Sequence, residues 1–249
     1  MSDDTTELAD TPAMRDLFFV YIIESPSAPD LYRGRSEGGL VAQALSLEGI
    51  PCVVRTAINP EAFWAALRLG LPEAMEENPG RRPMIHISAH GDSEGIQLSS
   101  GAAVKWDALR DLLVPVNESL NGTLVLCMSA CQGFSACRMA MREGESSRPF
   151  YAMVGNAGTP TWSDTVVAYL TFYHLIAKGD GIRAAVDGMN AASGDQGWMP
   201  VSADEIQQRW IDSISAPVDT EAAQSELEGL AARETAPESA KSLTSGGRG

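Results

Sequence analysis

The sequence predicts an α/β domain: a sheet of mostly parallel strands sandwiched between helices. Three observations point there. Short apolar runs alternate with longer stretches of helical spacing. The runs are nearly continuous rather than alternating, as strands covered on both faces should be. Reactive side chains collect just past two of them, where ligands bind in such sheets.

Residues 17–23, 52–54, 84–88, 123–128 and 151–154 read as strands. Residues 36–48, 60–69, 106–113, 134–142, 163–178 and 182–192 have helical spacing. Pro60 after Asn59 suits a first turn, Gly70 and Pro72 stop that helix, Ser163 or Asp164 caps the helix at 163, and Gly179 ends it. Residues 95–104 read as a hairpin.

The 249 residues suffice for one sizeable core, expected over 16–214, and no fixed-period repeat is visible. The ends, 1–15 and 215–249, are acidic and poor in large apolar side chains, and are expected to lack order. With 18 basic against 33 acidic side chains the net charge is −15, which argues against nucleic acid as a partner. No run approaches a bilayer span and the first ten residues do not resemble a secretory leader, so a cytoplasmic protein without a membrane partner is expected. The four cysteines then read as reduced thiols.

The chemistry concentrates at two strand ends. Met84-Ile-His-Ile-Ser-Ala-His-Gly-Asp92 delivers His90 and Gly91, and Thr123-Leu-Val-Leu-Cys-Met-Ser-Ala-Cys-Gln-Gly133 delivers Cys131. A free thiol is only slightly ionised near neutrality, and a neighbouring imidazole takes its proton. The amides of Gly91 and Cys131 suit a developing oxyanion, and Gly91 and Gly133 leave room for a substrate backbone. A helix at 134 adds a positive N-terminal field at Cys131.

Ser129-Ala-Cys-Gln-Gly133, with a histidine 41 residues upstream, resembles the caspase signature Q-A-C-[RQG]-G, whose histidine stands about 50 residues before. Ser129 replaces the signature's Gln, a departure shared with CHAT (caspase and HetF-associated) domains. Residues 154–186 are also similar to the part of CHAT domains that follows the catalytic strand, so the resemblance covers roughly 16–195. It implies a caspase-like cysteine endopeptidase acting on a protein substrate. His90 would be general base and acid, Cys131 nucleophile and Gly91 oxyanion donor. By position Asp164 looks like the acidic S1 residue of relatives that cut after Arg or Lys. Arg33 or Arg35 lies where caspases hold an acidic P1 side chain, so the two specificities stay open. Relatives are held inactive until a partner or a cut releases them, and CHAT-like bacterial members serve in defence or cell death.

Blander roles suit the rest. Cys52 and Cys127 lie in apolar runs and Cys137 on a helix, so all three read as packing residues. His86 and His174 read as structural, Asp164 doubles as a helix cap, and Arg33 and Arg35 as solvated loop charges. The cysteine spacing matches no zinc pattern and no calcium loop is present, so no metal and no cofactor are expected. The alternative to an enzyme is a catalytically silent module of the same fold used for binding.

Overall fold

The computed structural model describes residues 13–215. In chain order these are β1 (Phe18–Ser25), α1 (Ala28–Tyr32), α2 (Glu37–Leu47), β2 (Cys52–Thr56), α3 (Pro60–Ala65), α4 (Leu71–Glu77), β3 (Arg82–Gly91), β4 (Gly95–Gln97), β5 (Ala103–Lys105), α5 (Trp106–Ser119), β6 (Val125–Ser129), β7 (Ala152–Asn156), α6 (Trp162–Ala177), α7 (Ile182–Ser193), β8 (Trp198–Ser202) and α8 (Ala203–Ser215). The chain divides into compact units at Ile211, and of the second unit only the end of α8 is described. Of the ends expected to lack order, residues 1–12 and 216–249 lie outside the described residues, whereas Met14–Asp16 forms a turn of 3-10 helix.

The strands lie in the order β2-β1-β3-β6-β7-β8, with the β4–β5 hairpin attached to the end of β3. Pairings from β2 through β7 are parallel and β8 runs antiparallel to β7. This is the mostly parallel α/β architecture that the apolar runs predict. Side chains alternate along each strand, so the sheet feeds two cores. Phe19, Tyr21, Ile23, Ile85, Ile87, Leu126 and Met128 pack beneath α3, α4, α5 and α8. Phe18, Val20, Ile22, Cys127 and Val154 pack beneath α2, α6 and α7. All eight residues of β1 are buried, which is why its sequence lacks alternation.

The structure departs from the sequence expectations in several places, and it adds two helices, α1 and α8, where none is expected. Residues 198–202 form β8, a strand whose Gly197 and Pro200 hide it; proline is tolerated because β8 is an edge strand. Gly70 and Pro72 do not stop the helix at 60. It passes through a π-helical turn, Ala66–Gly70, into α4, where Pro72 sits in the first turn and its missing N–H costs nothing. The Tyr21 hydroxyl donates to the Ala66 carbonyl of that turn at 2.6 Å. The helix expected to end at 113 continues through Pro115 to Ser119, and its buried Asn117 side chain bonds the Leu124 amide and the Arg148 carbonyl beyond it. The helix expected over 134–142 is a 3-10 helix, Gly133–Ala140. The residue capping α6 is Thr161 rather than Ser163 or Asp164. No helix among the described residues is long and apolar enough to cross a membrane.

The 3-10 helix is seated on β7 without space between backbones: a Cβ on Gly155 would stand 2.8 Å from backbone atoms of Gly133 and Phe134. Neither neighbour is a flexible side chain. Gly155→Ala is therefore expected to cost about 1–3 kcal/mol of stability, as overpacking of a close-packed core does. The check is a lowered urea midpoint at unchanged slope; an unaltered midpoint contradicts this seating.

Candidate active site

β3 extends past the apolar run to Gly91, so His90 lies on the strand rather than beyond it. Its last two residues pair with β4, His90 opposite Gln97 and Gly91 opposite Ile96. The following turn is closed by Asp92, whose carboxylate accepts from the amides of Glu94 at 2.7 Å and Gly95 at 3.1 Å. On the next strand, β6 ends at Ser129, and Cys131 opens the turn into the 3-10 helix.

The register aligns the two. Ser88 of β3 stands opposite Ser129 of β6, so His90 and Cys131 each lie two residues beyond the same rung. Adjacent strands are about 4.8 Å apart and side chains two residues apart share a face. His90 therefore follows Ser88 and His86 onto the side that holds α2 and α6, and Cys131, in the turn that leaves Ser129, opens onto the same cleft. Both side chains line one cleft of about 160 Å³. Its other walls come from the end of β1 and the loop after it (Ser25, Pro26, Ser27), from Asp30 and Glu37, and from Pro160, Trp162 and Thr165.

The Cys131 turn is held from behind. Gln132 adopts a left-handed conformation at φ 52°, rare for a side-chain-bearing residue, and its amide donates to the Gly158 carbonyl at 2.7 Å. Gly158 in turn donates to the buried Asn156 side chain at 2.7 Å. The Gly133 amide is also committed, to the Ala130 carbonyl at 3.0 Å. The histidine hairpin and the turn are tied together by Arg138, which bonds the Ser93 carbonyl and the Glu94 carboxylate at 3.0 Å each.

The glycines serve packing of the chain on itself more than room for a substrate. A Cβ on Gly91 would meet the Ala130 methyl and the Cys131 carbonyl at 2.9 Å, and one on Gly133 would meet the Met128 carbonyl at 2.8 Å. The Asp92 amide bonds the Gly95 carbonyl, so by alternation Gly91 occupies a non-bonded position of the β3–β4 ladder and its N–H points away from β4. The hairpin lies over β1, where Ser99 bonds Ser25 and Pro26, so that amide faces the β6 side along which Ala130 and Cys131 run.

Of the two arginines and one acid singled out for the first pocket, none lines the cleft. Asp164 is the third residue of α6, where its carboxylate accepts from the Thr161 hydroxyl at 2.5 Å and its amide donates back at 3.3 Å, a reciprocal cap. Arg33 is exposed at the end of α1. Arg35 reaches Asp30 at 3.4 Å from the outside. The acids that do line the cleft are Asp30 and Glu37, which sequence reasoning missed. Both sit in first turns of helices, where acids are ordinary caps, so only burial marks them out. The hydrogen bond from the Ser27 hydroxyl holds Asp30 below the usual carboxylate range against its partial desolvation, and the charges of Arg35 and His90 act in the same direction.

The remaining thiols are packing residues. Burial pushes Cys52 and Cys127 up to about 12 and raises Cys137 as well. His86 is fully buried between Tyr173 and Glu37, and His174 bonds Glu48 at 2.6 Å. Among the described residues no group of three or more His, Cys, Asp or Glu could hold a metal ion.

No protein-family model and no curated protein matches the chain. Among solved structures, the complex of the Porphyromonas gingivalis RgpB pro- and mature domains is similar, with a TM-score of 0.47 and 12% identity over 76% of this chain and 48% of that one. The chain thus spans about half the length of that structure.

In the native protein, iodoacetamide at neutral pH is expected to label Cys131 ahead of Cys52, Cys127 and Cys137, which should react only on unfolding. Peptide mapping after limited labelling checks this, and equal labelling of all four contradicts the arrangement.

Proposed function

We propose that the chain is a caspase-like cysteine endopeptidase of the CHAT type that cuts a protein substrate after a basic residue. The observation that carries the reading is the common rung: an imidazole and a thiol on adjacent strand ends, facing one cleft. In the reaction His90 takes the Cys131 proton as sulfur bonds to the scissile carbonyl carbon. The amides of Gly91 and Cys131 receive the oxyanion. His90 then passes the proton to the leaving amine as the C–N bond breaks. Water, deprotonated by His90, attacks the thioester and releases the new carboxylate and the thiol.

The cleft lining supports a basic P1 residue. Asp30 and Glu37 are the charged side chains on the cleft wall besides His90, and neither arginine of the acidic-P1 alternative reaches it. The Arg35 contact to Asp30 is long and water-exposed, so a substrate guanidinium can replace it. In this reading Asp30, rather than Asp164, receives the basic side chain. Activation by a partner or by processing, a cytoplasmic setting and a role in bacterial defence belong to the same reading and rest on the resemblance.

Cleavage of a P1-scanned fluorogenic peptide library tests it. Cys131→Ala and His90→Ala are expected to abolish cutting with the fold intact. Asp30→Asn should lower kcat/KM for Arg substrates about 10–100-fold, the worth of a hydrogen-bonded charge pair. Because Asp30 titrates below the usual carboxylate range, its charge persists on mild acidification, and selectivity for Arg substrates should persist with it. A Cys131-dependent cut after Asp instead would overturn the basic specificity.

A further inference from the structure

The β3–β6 ladder ends at the rung Ser88–Ser129, one pleat short of the two reactive side chains. Beyond that rung β3 turns its hydrogen bonds to β4, and the chain after β6 turns into the 3-10 helix. His90 and Cys131 therefore stand on strand ends that no longer bond each other as a ladder. One pleat below them, a buried side chain spans the last rung. Glu37 accepts from Ser129 Oγ at 2.6 Å and from Ser88 Oγ at 2.9 Å, one hydroxyl on each carboxylate oxygen. Its Oε1 also accepts from His86 Nε2 at 3.0 Å, and His86 Nδ1 then accepts from the Tyr173 hydroxyl at 2.8 Å. The Glu37 side chain is 3% exposed and His86 0%. A carboxylate so enclosed is stable only while its donors stay in place, so the carboxylate and both serines hold one another in a single geometry.

We propose that Glu37 is a positioning residue for the dyad: by bridging Ser88 and Ser129 across the last rung, it sets the separation at which His90 meets Cys131. This rests on the peptidase reading above and adds a determinant that acts through Ser88 and Ser129 rather than on the reacting atoms. The chemistry is sensitive to such a device, because displacing a catalytic group by about 1 Å costs on the order of 100-fold in rate. A packing role alone would lower stability and leave the rate of the folded enzyme unchanged.

The test compares wild type, Glu37→Gln and Ser129→Ala for cleavage of the best library peptide, and for the alkylation rate of Cys131 with and without His90→Ala. Glu37→Gln keeps the side-chain volume but presents an NH₂ group where the carboxylate accepts only. Circular dichroism and the thermal midpoint establish that each variant is folded. The expected result is a fall in kcat of about 100-fold for Glu37→Gln and about tenfold for Ser129→Ala, with KM within about twofold. Alkylation of Cys131 should slow in both toward the level of His90→Ala. Should Glu37→Gln not fold, Ser129→Ala, which removes one hydroxyl, carries the test. Cys131-dependent cleavage with kcat within about twofold of wild type in the folded variants overturns the positioning role and leaves the peptidase reading standing. A wild type with neither Cys131-dependent cleavage nor His90-dependent alkylation overturns both.

Discussion

The parallel register of β3 against β6 governs the site and much of what surrounds it. Met84 opposite Val125 and Ser88 opposite Ser129 put His86 and Ser88 on the same face as Cys127 and Ser129, and bring His90 and Cys131, two residues on, to one cleft. A slip of one residue in either strand would send imidazole and thiol to opposite faces. The register is held by apolar demand on both sides: Ile85, Ile87, Leu126 and Met128 must enter one core while Cys127 enters the other. Burial of ordinary hydrophobic residues, not any contact between the reactive groups, is what aligns them.

The same face carries an unusual sequence of environments toward the strand ends. Deepest lie Cys127 and Tyr173, fully buried, with the Tyr173 hydroxyl and the Cys127 thiol both pushed up by desolvation. Beside them His86, opposite Cys127, is enclosed but hydrogen-bonded to Tyr173 and Glu37. Four residues further along each strand path His90 is exposed and Cys131 half-buried at the cleft. Polarity rises with height along two adjacent strands, and the serines mark the transition. The loops complete the gradient: Asp30 from the β1 side and Trp162 from the β7 side close the cleft laterally.

Much of this was legible in the sequence. Continuous apolar runs located five of the six main strands, and the His-Gly and Ala-Cys ends of two of them named His90 and Cys131. β8 was hidden because Pro200 and Gly197 are strand-breaking by local rules, and only its edge position makes them tolerable. The acids of the cleft were hidden for another reason. Asp30, Glu37 and Asp164 all occupy first turns of helices and look alike in one dimension. What separates them is tertiary: Glu37 is covered by β3 and β6, Asp30 faces the cleft, and Asp164 is absorbed by its own cap. The helix after Cys131 was misread because its close seating on Gly155, a contact between distant segments, accompanies the tighter 3-10 winding.

The central claim is that Cys131 is a nucleophile activated by His90 in a cleft that receives a basic side chain. An arginyl acyloxymethyl ketone, which alkylates a thiol only when that thiol attacks the bound carbonyl compound, tests it most directly. The account predicts a single adduct on Cys131 by intact mass and peptide mapping, absent in His90→Ala and reduced in Asp30→Asn. An adduct on Cys52, Cys127 or Cys137, or equal labelling of Cys131 with His90 removed, would contradict it.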